Sequence, residues 1–413
     1  MRRTRWKNTE NNRIESRFNR APCRGARLFS EGRAPHLDFQ RYIEQNEGEA
    51  AALLRALCAI PAPSHKEEKR AAFCKAWLEA HGAAGVFIDE AQNAVYPYRA
   101  EQAEEIVLFM AHTDTVFPDT EPMALTERDG KMFCPGVGDD TANVALLLLT
   151  AAYVAQARPE TSCGIVFALN SCEEGLGNLK GSRALLARYG DRLREVVSFD
   201  GYMEELCGAA VGSLRYRVTV RTAGGHSFSN FGSPNAIERL SAVVERLYAY
   251  AVPQNGSRTT FNVGQISGGT SVNTIAQQAE MLYELRSDDR DSLLSARRYF
   301  ESVLESFRAD GLGVEAELLG ERPCGEKNRS DPRQAELLRR CAESVRRHTG
   351  VAPEICAMST DCNIPFSLGI PAATVGLCRG GGAHTRGEWI ETESLKAGLR
   401  IAADLVAAHF VKK

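Results

Sequence analysis

No run of about 18 consecutive apolar residues occurs in this 413-residue chain, so no segment reads as a membrane-spanning helix. The longest apolar stretch, Val144 to Val154, suits a buried helix instead. Neither charge sign is in excess. Fifty Lys and Arg face 53 Asp and Glu, a formal net charge of −3, which gives no reason to expect nucleic acid or an anionic membrane as partner. None of the 12 cysteines forms a C-x-x-C pair, and no secretory apolar segment precedes them. Scattered as they are (Cys58, Cys74, Cys134, Cys163 and Cys172 among them), they read as reduced core thiols of a cytoplasmic protein. Internal repeats are also missing.

What is present is ordinary globular material. Hydrophobic residues make up 44% and charged residues 25% of the chain, and the length exceeds what one core usually holds, so two domains are expected. Residues 1–36 differ. They are Arg-rich and poor in aliphatics, too polar to order themselves, and read as a disordered tail. Glu10, Glu15 and Glu31 are unusual in a transit peptide.

Folded sequence is expected from residue 37. Phe39 to Ile60 has helical spacing and ends at Pro61-Ala62-Pro63. Ser64, with Glu67 three residues on, then reads as a capping box opening a helix that runs to about His81. Ile106–Met110, Gly164–Leu169, Val196–Phe199 and Thr374–Leu377 are short apolar runs, each a candidate buried strand. Helical patterns at Ala142–Ala157 and Gly181–Tyr189 lie between them. Alternation of this kind predicts an α/β fold, with a mixed, mainly parallel sheet and helices on both faces. Between about residues 212 and 321 the rhythm becomes βαββαβ. Leu214–Arg221 alternates apolar with polar residues as a half-buried strand does, which suggests a ferredoxin-like α+β module. The first pattern resumes with a helix at Arg333–His348, so this module is read as an insertion, with residues 37–211 and 322–413 as the two parts of the main domain.

Ligands of open α/β sheets bind outside the carboxyl ends of the strands. Each candidate strand leads there into a metal-binding residue type. Ile106–Met110 leads to His112 and Asp114, Gly164–Leu169 to Glu173-Glu174, Val196–Phe199 to Asp200, and Thr374–Leu377 through Gly380-Gly381-Gly382 to His384. Asp139-Asp140 precedes a helix. Each alone has a commonplace reading: a surface His–Asp pair, a solvated Glu-Glu, an N-cap. Together they place nitrogen and carboxylate donors, the ligands of catalytic zinc, on one rim from five segments.

These motifs, His112-Thr-Asp114-Thr-Val116, Gly138-Asp139-Asp140, Glu173-Glu174, Asp200, Gly225-His226 and Gly382-Ala383-His384, resemble a di-zinc family of hydrolases. It includes peptidase T, carboxypeptidase G, aminoacylase, acetylornithine deacetylase and succinyl-diaminopimelate desuccinylase. The resemblance runs from about residue 40 to 410. It implies a zinc exopeptidase-like main domain and an inserted lid and dimerisation domain. It also implies two Zn²⁺ (Co²⁺ or Mn²⁺ would fit similar ligands), with Asp139 bridging, His112 and Asp200 on one ion, and Glu174 and His384 on the other. Glu173 would be the general base and Asp114 the partner of the second His112 nitrogen. His226, otherwise a turn residue, would stabilise the oxyanion in a partner subunit's site. Asn273 and Arg286, the latter otherwise an ordinary strand-end arginine, would hold a substrate carboxylate. The peptide bond between Asp139 and Asp140 is often cis in such families.

The sequence departs from the pattern at Thr141-Ala142, where the family often has Lys-Gly, at Thr274-Ile275-Ala276, at Thr385 and at Cys362 in the Ser359-Thr360-Asp361-Cys362-Asn363 loop. The expected function is amide hydrolysis in small peptides by an exopeptidase like peptidase T or carboxypeptidase G, with N-acyl amino acid deacylation as the alternative. A homodimer through the insertion is expected, with no nucleic acid or membrane partner. Two readings from other classes compete: an inert zinc-binding homologue, and a cysteine hydrolase using Cys134 or Cys172.

Overall fold

The computed structural model describes residues 39–325 and 330–411; the tail expected over residues 1–36 lies outside the described residues. An eight-stranded mixed sheet runs in the order Phe87–Ile88, Ala94–Tyr98, Gly164–Asn170, Ile106–His112, Leu193–Phe199, Ala372–Val375, Glu205–Ala210, Glu354–Met358. The four central strands are mutually parallel, as are the last two. Antiparallel pairing joins the rest.

The central strands are apolar throughout because both faces are covered. From Ile106–His112, alternate residues Val107, Phe109 and Ala111 enter one core, and Ile106, Leu108 and Met110 enter another. Over the first face lies the helix Asn143–Ala157, buried from Asn143 through Ala155, so its apolar sequence shows no polar stripe. Ser394–Ala407 packs beside it. There Gly398 is required, since a Cβ would stand 1.7 Å from the Leu377 carbonyl oxygen. Lys180–Tyr189 and Asn363–Leu368 cover the second face.

A second sheet is antiparallel throughout, ordered Thr259–Gly268, Gln278–Ser287, Gly212–Arg221, Gly313–Arg322. Leu214, Tyr216, Val218 and Val220 point to its own core beneath the helices Ala236–Tyr248 and Arg290–Ala309, and the intervening Arg and Thr residues face away. This is the βαββαβ order expected. A small sheet, Gly380–Gly381, Trp389–Glu391, Lys131–Phe133, Thr126–Arg128, flanks the carboxyl ends of the central strands.

Three local expectations are corrected. Phe39–Ile60 is two helices, Phe39–Gln45 and Glu47–Cys58, bent at Asn46. The next helix is Glu68–Ala80, and Ser64 and Glu67 give it no side-chain cap. Ser64 Oγ donates instead to Asp114 Oδ2 at 2.7 Å, and Glu67 Oε1 accepts from the Cys172 N–H at 3.0 Å. Buried groups left unpaired cost more than a helix end open to water, so the interior partners win. Finally, the main sheet is wider than the four expected strands, since Ala94–Tyr98, Glu205–Ala210 and Glu354–Met358 also belong to it. Among the described residues no helix is long and apolar enough to cross a membrane.

Candidate metal centre

Three neighbouring parallel strands deliver three of the expected ligands. Ile106–His112 ends on His112, paired in register with Asn170; Glu173 and Glu174 follow the latter strand, and Asp200 follows Leu193–Phe199. Asp139 comes from the turn before Asn143–Ala157, across a cis peptide bond to Asp140, and His384 comes from the loop after Gly380–Gly381.

Asp139 lies between the two histidines, with Oδ1 3.1 Å from His112 Nε2 and Oδ2 3.1 Å from His384 Nε2. Asp200 Oδ1 is 3.8 Å from His112 Nε2, and Glu174 Oε1 is 3.1 Å from His384 Nε2. Donor atoms of His112, Asp139 and Asp200 lie within 4.8 Å of one another, and so do those of Asp139, Glu174 and His384. Two triads thus share one carboxylate.

The surroundings fix these side chains. Asp114 accepts from the N–H groups of Glu173 (3.0 Å) and Glu174 (2.9 Å) and from Ser64, while its carboxylate stands 3.4 Å and its carbonyl 3.1 Å from His112 Nδ1. Asp140 takes the His112 N–H at 2.8 Å and Asn143 Nδ2 at 2.5 Å. These bonds hold the strand end against the helix Asn143–Ala157.

The site crowds carboxylates around two imidazoles. Burial, reinforced by Asp139 and Glu173, pushes Asp200 well above the usual carboxylate range. Burial and then Glu173 push Asp361 up to about 7. Burial would lower His112, but Asp140, Asp114, Asp139 and Asp200 overcome it and hold the imidazole well above its ordinary value. The Asp139 and Glu174 carboxylates, each 3.1 Å from its ring, raise His384 to about 10. Glu174 Oε1 is buried and receives no hydrogen bond, although His384 Nε2 stands close by. Crowded carboxylates, two imidazoles and an acceptor without a donor fit a pair of divalent cations, whose charge would relieve all three.

Five further residues shape the site, and nothing local in the sequence points to that role. Ser64 and Glu67 are described above. Arg322, 4% exposed at the end of Gly313–Arg322, donates to Glu173 Oε1 at 2.8 Å and also to the Glu173 carbonyl. Glu388 accepts from three backbone N–H groups of the Asp139 turn; burial and then Asp139 raise it to about 7. Buried Arg70 donates to the carbonyls of Leu57, Ile60 and Thr113, tying a helix end to the segment after His112. Their partners lie from 10 to more than 200 residues away, which no motif scan reaches.

The remaining expected residues stand apart from the cluster. His226 is exposed on the two-residue strand Gly225–His226, paired with Thr274–Ile275, and its Nδ1 accepts from the N–H groups of Phe228 and Ser229. Asn273 is exposed beside it, with Oδ1 accepting from Ser271 Oγ at 2.7 Å. Arg286 Nε donates to Glu284 at 2.8 Å; Glu284 also takes Arg215 Nε at 2.9 Å, and Arg215 donates to the Gly175 carbonyl next to Glu174. No hydrogen bond or ion pair among the described residues joins His226, Asn273 or Arg286 directly to the two triads.

A family model described as peptidase family M20/M25/M40 matches residues 108–408. An acetylornithine deacetylase of Myxococcus xanthus is 27% identical over 322 residues, covering 73% of this chain and 79% of that protein. A tripeptidase from Staphylococcus aureus superposes with a TM-score of 0.72 at 20% identity, covering 88% of this chain and 98% of the other. A dinuclear metal-binding peptidase from Bacillus subtilis superposes with a TM-score of 0.60 at 17% identity, over 88% and 98% of the two chains.

Proposed function

Because the chain belongs to peptidase family M20/M25/M40, a family of peptidases and related deacylases, we propose that it is a two-metal exopeptidase acting on small peptides. The observation that carries this reading is Asp139, with one carboxylate oxygen 3.1 Å from each histidine. His112 and Asp200 would complete one ion, Glu174 and His384 the other, with Asp139 shared. The description of the Bacillus subtilis relative as dinuclear supports the count of two. Zinc suits these ligands best, and cobalt or manganese would bind similarly.

When bound, such ions lower the pKa of a coordinated water and polarise the scissile carbonyl. The protein's own part follows from its side chains. Asp114 holds His112 through Nδ1, leaving Nε2 as the ligand atom. Glu173, which makes no bond within the two triads, accepts the proton of the attacking water and passes it to the departing amine. Arg322 keeps one Glu173 oxygen engaged and leaves the other for that transfer. Arg286, half-exposed and aimed by Glu284, and Asn273 offer a fork and an amide to a substrate carboxylate. His226 and the dimer are part of the same reading. Around His226, Phe228, Phe231 and Val272 are 87%, 91% and 100% exposed, an apolar patch suited to a second copy, through which His226 would reach the partner's site.

Deacylation of N-acyl amino acids is the second reading, favoured by the deacetylase relative. A cysteine mechanism is disfavoured. Cys172 is buried and donates to Glu67 at 3.2 Å; burial and that carboxylate push its thiol up to about 12. Cys134 is buried against the Met123 carbonyl.

The test is the metal content of the purified protein together with hydrolysis of a mixed dipeptide, tripeptide and N-acyl amino acid library, before and after chelation. Two ions per chain, with activity lost on chelation and restored by zinc, are expected, and the products name the bond cleaved. Activity indifferent to chelation overturns the proposal. Metal binding without turnover on any library member identifies an inert homologue.

A further inference from the structure

We infer that Glu388 is a positioning residue for the metal centre, a buried carboxylate that aims Asp139 by gripping the backbone of its turn. The inference rests on the two-metal reading above and adds to it a residue with no part in that reaction scheme.

Glu388 is fully buried, and its carboxylate accepts three hydrogen bonds, all from near-consecutive backbone donors. Gly136 N–H reaches Oε2 at 2.6 Å, and the N–H groups of Gly138 and Asp139 reach Oε1 at 2.8 Å each. Successive N–H groups turned toward one point form an anion-binding concavity, and here a side chain of the same protein fills it. Bonds from N–H to a carboxylate are about twice as strong as neutral ones. They act on the peptide units that set where the Asp139 side chain leaves the backbone.

The fit is tight on every side. At Gly138 a Cβ would clash with the Tyr202 ring at 2.7 Å and crowd Glu388 Oε1 at 3.2 Å, so a side chain there would disturb the packing around the carboxylate. The main chain of Glu388 is tied to the same segment, since Cys134 N–H donates to its carbonyl at 3.2 Å, and Trp389–Glu391 pairs with Lys131–Phe133 immediately before the turn. Four residues upstream, the same loop carries His384. One loop therefore supplies a ligand for one ion and the grip on the carboxylate shared by both. Displacing Glu388 disturbs both positions together, whereas loss of a ligand belonging to one ion disturbs that ion first.

The experiment compares wild type with Glu388→Gln, which keeps the shape but turns an amide N–H₂ toward backbone donors. The chelated proteins are titrated with zinc by calorimetry, kcat and KM are measured after reloading, and the metal-free proteins are melted. Affinity for both ions is expected to fall about 10–100-fold, the usual effect of removing a group that orients a ligand, with the loss in kcat rather than KM. Should Glu388→Gln fail to fold, Glu388→Asp, which keeps the charge and retracts it by one methylene, is measured in the same way. Unchanged zinc affinity, with or without a lower melting temperature, overturns the inference and leaves the two-metal reading standing. Wild type that takes up no zinc overturns both.

Discussion

Replacing Arg322 with methionine keeps most of the apolar stem while removing the only guanidinium bonded to Glu173 among the described residues. The pair is buried, with Arg322 4% and Glu173 6% exposed, and Arg322 makes further contacts at 3.3 Å with Ser359. Breaking a buried pair from one side leaves a carboxylate without compensation and costs about 3–5 kcal/mol. In the metal-free protein the charge is then offset only in part, by the His112 imidazole within 4.8 Å, while Glu174, Asp200 and Asp361 crowd it with further carboxylates. With both ions in place the carboxylate regains positive neighbours, and the cost shrinks. Urea unfolding of wild type and Arg322→Met, each with chelator and with saturating zinc, reads the difference. At a slope of about 2–3 kcal/mol per molar, the metal-free midpoint should fall by roughly 1–2 M, and the loaded midpoint by clearly less. A metal-free loss below about 1 kcal/mol, the worth of an exposed pair, would refute the argument. So would an equal loss in both states.

Glu173→Gln should keep both ions yet lower kcat by about 10²–10⁴-fold, the usual contribution of a general base; metal analysis and turnover on the best library substrate check it, and full activity would remove Glu173 from the scheme. Far from the site, Glu195 is buried, which alone would raise its pKa, but His409 and Arg340 outweigh burial and bring it down to about 2. A depressed carboxylate stabilises the fold above its ordinary value of 4.5 and loses that contribution as pH falls toward about 2. The shift corresponds to about 3 kcal/mol. Glu195→Gln should therefore lower the urea midpoint near neutral pH, and the gap to wild type should narrow steadily below about pH 4.5; a gap independent of pH would contradict the ion-pair assignment.

The residues that the fold gathers at the candidate centre were legible because metal binding restricts residue type. His112, Asp139, Glu174, Asp200 and His384 each stand just past a strand or at a helix entrance, and apolar runs in the sequence show where those strands lie. The inserted sheet was legible for a similar reason, since Leu214, Tyr216, Val218 and Val220 alternate with residues that stay polar. The last two strands of the main sheet were not. Glu205–Ala210 and Glu354–Met358 are short and partly exposed, their apolar stretches are poor in β-branched residues, and pairing with neighbours makes them extended. Ser64 and Glu67 misled as a capping box because a local pattern competes with distant partners, and those partners, Asp114 and Cys172, are seen only in the fold.

By itself the sequence determined the family, the two-faced burial of the central strands and the donor set on their rim, since periodicity and ligand type are properties of short segments. Only the tertiary structure decided that Asp139 stands between the two histidines and that Arg322 reaches Glu173 across 149 positions. It alone revealed Glu388 gripping a turn about 250 residues earlier in the chain. Those contacts close long loops, and their geometry is set by how helices and sheets pack rather than by any spacing along the chain.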